Sequence, residues 1–494
     1  MTKKALHKKY KKVKQENQSL KAENDQLKKL IFGSKSERFI PAQDDAQLNI
    51  FEEDKPAEEP AVEKEEITYQ RDKQGKRNHP GRHKFPAHLE VVETIIEPDF
   101  DTSNMVKIGE EVTERLDYTK ASLKILREVR EKYKEKETEK ILIAPLPSRA
   151  IPKCIATNSL LAHIMVSKMV DHLPYYRQAQ MFSRDFEWHV NRGTLSHWQK
   201  LVCELLDPLY EVLIKKVTQS NYINADESPL KVLEHKELKG KAPPNKKVMQ
   251  GYMWVYRCIL SGLVFFNYRK GRGMQGPKEI LAGYAGYLQC DGYTVYDKIA
   301  KINPAIKLVG CHAHVRRKFY EAKDSDPKRA EHALKMYQQI YVIEKRLRDQ
   351  QATPQQRKDE RQTLTKPLLK ELKIWVEKEC ITVTPKSPMG KAMTYFQNQW
   401  HKLITVTEDG HLEIDNNQIE NKIRPLALGR KNYMFAGSHN GAHNLAMMYS
   451  FFASCKAKGI NPQTWLTETL DVIADHPVNK LEKLLPGYAQ DEVG

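Results

Sequence analysis

The sequence predicts a multidomain protein of the α/β plus α class, in which a mixed sheet is accompanied by several helical segments. Three features predict this class: a heptad-spaced N-terminal segment, a strand-rich block that changes from a hairpin to strand–helix alternation, and a series of capped helices after that block. At 494 residues, the chain is long enough for roughly three or four domains. No apolar run reaches the length of a membrane span, and the N-terminus has no apolar signal core. We therefore expect a cytoplasmic protein.

We place the domain boundaries where composition or periodicity changes. They give a coiled-coil dimerisation segment over 1–40, an acidic linker over 41–70, a small β-rich module over 71–150, a helix-turn-helix-like region over 151–215, the first part of the mixed core over 216–323, an all-helical insertion over 324–405, the helix of Glu420 with the end of the core over 406–445, and a C-terminal helical element over 446–494.

The N-terminal segment carries two apolar seams at heptad spacing. Asn17 and Asn24 lie in the second seam, where a polar residue costs stability but fixes register and favours a dimer. We therefore expect a homo-oligomer, at least a dimer. The first seam contains Leu6, Val13, Leu20 and Leu27, and the second contains Tyr10, Asn17, Asn24 and Ile31.

The composition favours a polyanionic partner. The chain has 81 Lys and Arg against 64 Asp and Glu, a net charge of +17, and a pI near 9.2, as in many nucleic-acid-binding proteins. The seven cysteines stand singly with no CxxC pair, which argues against a disulfide framework and against a zinc ribbon. Cys311-His312-Ala313-His314 has no second ligand pair at finger spacing, so we expect a buried or hydrogen-bonding role there and no zinc.

Two helices before the strand-rich block are candidates for DNA recognition. The pattern predicts one helix over Tyr175–Arg184, a connection containing Gly193, and a second helix capped by Thr194 and ending before Pro208. This pair is compatible with a helix-turn-helix and equally with two ordinary packed helices. In the first case, Arg192 and Lys200 would contact phosphate.

The strand-rich block predicts a mixed sheet that carries two aspartates. A first strand spans Asn221–Val232 around Asp226, and a hairpin turning at Ser261-Gly262 follows. A later strand ends at Asp291, and another precedes a helix. Because strands of one sheet can bring such residues to one edge, we expect the two aspartates to lie close together.

The helical insertion is predicted by three similar helix starts. Asp326-Pro327, Thr353-Pro354 and Ser387-Pro388 each combine an N-cap residue with Pro at the first helical position.

A polar stretch after the insertion supplies a third carboxylate. Asp415-Asn416-Asn417 opens onto a periodic segment, which places Glu420 in the first turn of a helix with Arg424 on the same face. Glu420 then suits a metal ligand, although Asn417-x-x-Glu420 also fits a capping box in which the glutamate only satisfies a backbone amide. Three carboxylates from separate elements are what two Mg²⁺ ions need at a phosphodiester.

Four motifs in order resemble the insertion-sequence-66 family of bacterial transposases. They are Asp226-Glu227-Ser228, then Cys290-Asp291-Gly292-Tyr293, then Gly310 to Phe319 (GCHAHVRRKF), then Asp415-Asn416-Asn417-x-x-Glu420 with Arg424-Pro425 and Gly429-Arg430-Lys431-Asn432. Shorter segments at 32–37, 174–177 and 484–486 also resemble the family, so the resemblance covers most of the chain.

The resemblance implies an RNase H-like catalytic core with a helical insertion. It implies a metal-binding triad of Asp226, Asp291 and Glu420 that holds two Mg²⁺ ions, for which Mn²⁺ is expected to substitute. It further implies DNA cleavage and strand transfer at transposon ends, with terminal inverted repeats and target DNA as partners and accessory proteins of the same element as further ones. Candidate DNA contacts in the matching motifs are Arg316, Arg317, Arg424, Arg430 and Lys431.

The sequence departs from the family pattern at two places. No cysteine precedes Cys154, whereas the family commonly has a cysteine-rich zinc module in that part of the chain. We therefore expect no bound zinc in this segment. Asn421 follows Glu420 where the family usually has arginine, which weakens a phosphate contact and leaves the triad intact.

Two other functions fit parts of the sequence. Gly271-x-Gly273-x-x-Gly276 imitates a dinucleotide-binding loop, but Pro277 and the short helix leave little room for a crossover. A dimeric DNA-binding regulator without catalysis would account for the charge and the coiled coil, but it leaves the ordered carboxylate motifs unexplained.

Overall fold

A computed structural model of the chain describes residues 122–127, 132–134, 141–143, 148–235 and 246–488. The predicted coiled coil and acidic linker lie outside these residues, as does most of the predicted β-rich module. Within that module, β1 (Lys132–Lys134) pairs antiparallel with β2 (Ile141–Ile143). None of the helices in the described part of the chain is both long and apolar enough to cross a bilayer.

The centre of the structure is a five-stranded mixed sheet with the strand order β5-β4-β3-β6-β7. β3, β4 and β5 are antiparallel neighbours, whereas β6 and β7 run parallel to β3. The predicted mixed α/β sheet is therefore confirmed. Its strands are β3 (Tyr222–His235), β4 (Lys246–Cys258), β5 (Val264–Arg269), β6 (Gly286–Cys290) and β7 (Ile306–Gly310).

The hairpin between β4 and β5 turns where the sequence indicates. Gly262 has a φ of 71°, a conformation that glycine adopts without steric cost. β5 is an edge strand, and two of its N–H groups that have no neighbouring strand are satisfied by a helix: those of Val264 and Phe266 donate to the hydroxyls of Ser454 (2.9 Å) and Ser450 (2.8 Å). Covering an edge in this way prevents it from pairing with another chain.

In the described part of the chain, three helices precede the sheet, and the third corrects the prediction. They are α1 (Asn158–Met169), α2 (Tyr175–Phe186) and α3 (Arg192–Thr218). The N-cap of α3 is Asn191, whose Oδ1 accepts the N–H of Gly193 at 2.7 Å, so Gly193 lies in the first turn and Thr194 is not the cap.

Pro208 does not end α3 but lies inside it. Proline removes one helical hydrogen bond, yet Leu206, Leu209 and Leu213 around it are fully buried, and this packing keeps the helix continuous. The predicted boundary at 215 consequently falls within a helix.

Short helices follow the later strands of the sheet. They are α4 (Gln275–Ile280) after β5, α5 (Thr294–Ile302) after β6 and α6 (His312–Glu321) after β7. β5 and β6, which flank the glycine motif, are separated in the sheet by β4 and β3. The motif therefore does not connect adjacent parallel strands as a dinucleotide-binding unit does.

The segment after α6 is all-helical, as predicted. All three predicted caps are confirmed, because Asp326, Thr353 and Ser387 each accept a backbone N–H of the helix that follows. Its helices are α7 (Pro327–Asp349), α8 (Pro354–Glu360), a π-helical turn (Arg361–Thr365), α9 (Lys366–Glu379) and α10 (Pro388–Leu403). The insertion forms a second apolar core that includes Val315 and Phe319 of α6.

The chain returns to the sheet through α11 (Asn417–Tyr433), α12 (His439–Ala457) and α13 (Pro462–Val472). Between α11 and α12, Ala436 forms a parallel bridge with Val232 of β3. Residues Val478–Leu484 form a 3-10 helix, and the indole N–H (Nε1) of Trp465 donates to the carbonyl of Leu484 at 3.0 Å.

Candidate active site

Asp226 lies on β3, the central strand of the sheet, opposite Val255 of β4. The alternation of β3 gives Asp226 and Glu227 opposite faces of the sheet. One carboxylate oxygen of Asp226 accepts the N–H of Glu227 at 2.7 Å. Asp226 is therefore held on rigid secondary structure, as the sequence predicts.

Asp291 directly follows β6, which is parallel to β3 and adjacent to it. Its Oδ1 accepts the N–H of Tyr293 at 2.9 Å, which fixes the turn. A Cβ atom on Gly292 would lie 2.6 Å from the ring of Tyr395. Glycine leaves room for this ring, so the insertion helix α10 packs directly over the Asp291 turn.

Glu420 lies in the first turn of α11, as predicted, but not as part of a capping box. The helix begins at Asn417, its N-cap is Asn416, and no side chain caps it. Instead, Oδ1 of Asp415 accepts the N–H of Asn417 at 3.2 Å. The capping-box interpretation of Glu420 is therefore wrong. Its carboxylate is 34% exposed and lies 3.8 Å from Nε2 of His314.

The three carboxylates lie in one electrostatic neighbourhood. The pKa of Asp226 is raised well above its usual range, first because the side chain is buried and then because Asp291, Glu227 and Glu420 add negative charge around it. Burial also raises the pKa of Glu227, which Arg272 partly offsets. Such an excess of buried negative charge is unfavourable until a cation joins it.

The donor set fits a divalent cation chemically. All three proposed donor groups, those of Asp226, Asp291 and Glu420, are carboxylates, whose oxygens are the hard ligands that Mg²⁺ prefers. As the side chains stand, however, no three His, Cys, Asp or Glu residues in the described ranges are arranged around one metal position. The carboxylates share a neighbourhood without converging on a single point.

A buried polar network holds the segment that leads into α11. The hydroxyl of Tyr222 donates to Oε1 of Gln289 at 2.5 Å, and Nδ2 of Asn224 donates to the same oxygen at 2.8 Å. Nε2 of Gln289 donates to the carbonyl of Glu413 at 2.7 Å, and the N–H of Glu413 donates back to the hydroxyl of Tyr222 at 2.9 Å. Strands β3 and β6 thereby position the chain seven residues before Glu420.

Asn416 connects the start of α11 to the central strand β3 and to the residue that follows the edge strand β7. Its N–H donates to Sγ of Cys311 at 3.2 Å, just after β7, and its Nδ2 donates to the carbonyl of Ala225 at 3.3 Å, next to Asp226. The neighbouring His312 is fully buried, and its Nε2 lies 3.1 Å from the carbonyl of Leu403. Cys311 and His312 are thus hydrogen-bonded within the fold.

The predicted DNA contacts differ in accessibility. Arg192, Arg424 and Lys431 are exposed. Lys200 is also exposed but forms an ion pair with Glu204 at 3.4 Å. Arg430 is half-buried, and its Nη1 donates to the hydroxyl of Ser228 at 3.1 Å, so it anchors α11 to β3.

Arg316 and Arg317 lie half-buried on α6, beside His314. Nε of Arg317 is a buried atom without a hydrogen-bond partner. Burial lowers the pKa of Arg316. No hydrogen bond or ion pair described for these seven predicted DNA-binding residues joins any two of them.

Sequence reasoning missed two neighbours of the carboxylates. His314 was treated only as a candidate zinc ligand, although it lies beside Glu420. Arg272 was hidden in the glycine motif, although it forms an ion pair with Glu227. The adjacency of Glu227 to Asp226 was the available signal for a cationic partner at this place.

Comparison with known proteins gives three family matches along the chain. Residues 153–444 match the model described as "Transposase IS66 family", residues 450–486 match the "IS66 C-terminal element", and residues 19–94 match "Transposase C of IS166 homeodomain". The first match contains Asp226, Asp291 and Glu420.

Curated relatives are similar over most of the chain. Two uncharacterized proteins of Sinorhizobium fredii, y4qI and y4hP, are 31% and 29% identical to it, each over 95% of this chain and 88% of the relative. A third from the same organism, the uncharacterized protein y4jD, is 32% identical over 83% of this chain and 82% of its own length.

Proposed function

Because this chain belongs to the IS66 family of transposases, we propose that it cleaves DNA at transposon ends and joins those ends to target DNA. Asp226, Asp291 and Glu420 are the residues proposed to act in catalysis. They would hold Mg²⁺, or Mn²⁺ in its place, with two ions per active site.

One observation carries this proposal. Carboxylates from β3, from the turn after β6 and from α11 lie near one another although 65 and 129 residues separate them in sequence. Burial, and then the negative charges of neighbours that include Asp291 and Glu420, raises the pKa of Asp226. A fold that needed only stability would not gather unpaired acidic groups at a half-buried position. Perturbed carboxylates of this kind are typical of functional sites.

The residues themselves supply position and charge. When bound, divalent ions would stabilise the attacking and leaving oxygens of a phosphodiester. Asp226 is held by the central strand, Asp291 by its turn with Tyr293, and Glu420 by the network of Tyr222, Gln289 and Glu413. Rigid placement matters because the reacting groups must be aligned before the reaction.

The remaining parts of the proposal concern DNA and assembly. The net charge of +17 would attract the phosphate backbone. We propose that α2 and α3 read the terminal inverted repeats, and that a dimer forms through residues 6–31. We further propose that the protein acts in the cytoplasm on the nucleoid, with target DNA and accessory proteins of the same element as partners.

The test is Mg²⁺-dependent nicking of a duplex that carries the terminal inverted repeat of the element. Purified full-length protein is expected to nick and join this DNA, whereas Asp226→Asn, Asp291→Asn and Glu420→Gln should each bind the DNA and fail to cut it. Combining two of these substitutions should add little further loss, because residues of one catalytic unit are non-additive. An active Glu420→Gln protein would refute the triad and direct attention to Glu413 and Asp415.

The runner-up function, a DNA-binding regulator, predicts a different result. In that case wild type and all three variants would bind the repeat equally and none would cut it with Mg²⁺ or Mn²⁺.

A further inference from the structure

The loop between β5 and α4 carries an arginine with open space beside it. The loop contains Gly271, Arg272 and Gly273. A Cβ atom added to Gly273 would meet no atom within 4 Å, and one added to Gly271 would meet only the Gly273 nitrogen at 4.0 Å. These two glycines are therefore not required by internal packing, and they leave the loop backbone accessible to a large ligand.

The side chain of Arg272 is held on one edge and one face. Its Nε donates to Oε1 of Glu227 at 2.8 Å, and its Nη2 donates to the same oxygen. The guanidinium lies 4.1 Å from the centroid of the Tyr293 ring. The Tyr293 hydroxyl in turn donates to the carbonyl of Arg272 at 2.6 Å. The loop is thereby fastened to the Asp291 turn, two residues from the candidate catalytic aspartate.

Arg272 nevertheless remains available to a ligand. Its side chain is 46% exposed, whereas that of Glu227 is only 3% exposed. In this ion pair the carboxylate is buried and the guanidinium is partly exposed. The carboxylate orients the arginine, and the outer N–H groups of the guanidinium are free to donate hydrogen bonds to a ligand. Planar guanidinium groups bind phosphate oxygens well in this geometry.

The charge around the site creates a need for such a group. Asp226, Glu227, Asp291 and Glu420 are all acidic, and a DNA strand that approaches them carries a negative charge on every phosphate. Each uncompensated carboxylate would repel that strand. Arg272 cancels the charge of Glu227 while keeping donors toward the outside.

We propose that Arg272 binds a backbone phosphate of the DNA strand that enters the carboxylate site, and that Glu227 and Tyr293 hold it in position. The ligand class is a DNA phosphodiester, and the inference rests on the proposed function. The glycine motif thus serves phosphate binding through a side chain, with Gly271 and Gly273 making room for the strand.

The test combines protein variants with single neutral methylphosphonates placed in turn at each phosphate around the cut. In wild type, one methylphosphonate position should reduce cleavage and affinity by roughly 10- to 100-fold, the usual effect of losing a charge-assisted hydrogen bond. Arg272→Gln should cause a similar loss on unmodified DNA. At that one position the two losses should not add, whereas they should add at every other phosphate.

Two further variants keep the outcome interpretable. Arg272→Gln leaves Glu227 buried without its partner, so Glu227→Gln/Arg272→Gln, which removes both charges, provides a folded alternative if the single variant does not fold. Lys270→Gln removes the same charge from an exposed position of the same loop. Its affinity and cleavage should fall by about 3-fold or less, because general attraction to DNA is spread over many cations.

Additive losses at every phosphate would overturn the inference, as would an Arg272→Gln protein with wild-type affinity and cleavage. The same combination of Arg272→Gln with single methylphosphonates can be measured in equilibrium binding, which requires no cleavage. Absence of cutting by wild type would count against the proposed function, whereas additivity in binding would count against Arg272 alone.

Discussion

The hydroxyl of Tyr222 on β3 donates a 2.5 Å hydrogen bond to Oε1 of Gln289 on β6 and at the same time accepts the N–H of Glu413 at 2.9 Å. One oxygen atom therefore connects two strands of the sheet to the segment that places Glu420. Tyr222 is buried, so water cannot replace either bond.

Tyr222→Phe should loosen the start of α11. Leaving the N–H of Glu413 without a partner costs about 1–3 kcal/mol of unfolding free energy, and cleavage should fall by about 10-fold because Glu420 loses its fixed position. Urea denaturation and nicking assays measure the two effects.

Tyr210→Phe is the matched control. Its buried hydroxyl donates to the carbonyl of Phe266, away from the segment that precedes α11, so it should lose comparable stability and little activity. Equal losses of activity in both variants would show that Tyr222 acts through stability alone.

The buried ion pair of the insertion should contribute far more to the free energy of unfolding than its exposed neighbour. Arg361 is bound to Glu344 at 2.7 Å with both side chains at most 2% exposed, and it also donates to the carbonyl of Leu412 at 2.7 Å. Arg361→Met strands a buried charge and should cost about 3–5 kcal/mol of unfolding free energy.

Arg346 and Glu360 connect the same part of the insertion at 2.6 Å but are 46% and 42% exposed. Arg346→Met should therefore cost less than about 1 kcal/mol. Chemical denaturation of both variants tests the contrast, and similar losses would contradict it.

His312 should make the protein sensitive to acid. Burial lowers the pKa of its imidazole to about 4, below the unfolded value of about 6.5. Between these values the unfolded chain binds the proton and the folded chain does not, so stability falls as pH drops from 6.5 to 4. The full effect is roughly 3 kcal/mol.

His312→Gln, which does not titrate, should show a smaller loss of unfolding free energy over this pH range than wild type. Denaturation curves at several pH values measure the difference between the two proteins, which removes the contribution of carboxylates common to both. Parallel curves would show that His312 does not titrate with folding.

Neutralising Asp226 should stabilise the metal-free protein. Asp226→Asn relieves both the burial of charge and the repulsion from Asp291 and Glu420, so its melting temperature without metal should rise. Mg²⁺ should then raise the melting temperature of wild type, because it binds only the folded state, and leave that of the variant unchanged. The control Asp475→Asn, an exposed position on the C-terminal element, should behave as wild type; identical Mg²⁺ responses in all three proteins would contradict the site.

Removal of residues 1–40 should lower the oligomeric state. The two heptad seams of that segment predict a coiled-coil dimer, so the truncated chain should scatter light with the mass of a smaller species. An unchanged mass would place the dimer contact elsewhere.

Local patterns predicted the elements well, and long-range packing explains what they missed. The caps at Asp326, Thr353 and Ser387 depend on neighbours in sequence and were readable. Pro208 was misread because its local rule is overridden by the burial of the leucines around it, which only the tertiary structure reveals.

The candidate site shows the same division. Strand periodicity predicted the positions of Asp226 within β3 and of Asp291 at the end of β6. The contact of Gln289 with Tyr222, in contrast, spans 67 residues and that of Glu413 with Tyr222 spans 191. No periodicity connects such positions. The pairing of Arg272 with Glu227 was hidden for the same reason, since it joins a loop to a strand 45 residues earlier.

The continuity of α3 through Pro208 fixes a length. At ~1.5 Å per residue, its 27 residues extend about 40 Å, the rise of roughly twelve base pairs of DNA at ~3.4 Å each. The first turns carry Arg192 and Lys200, and Tyr210 in the second half packs on β5 through Phe266. If those first turns bind the repeat, the length of this single continuous helix sets the distance between the recognised sequence and the cut. Lengthening the helix by one turn would then move the cut along the DNA without altering which sequence is recognised.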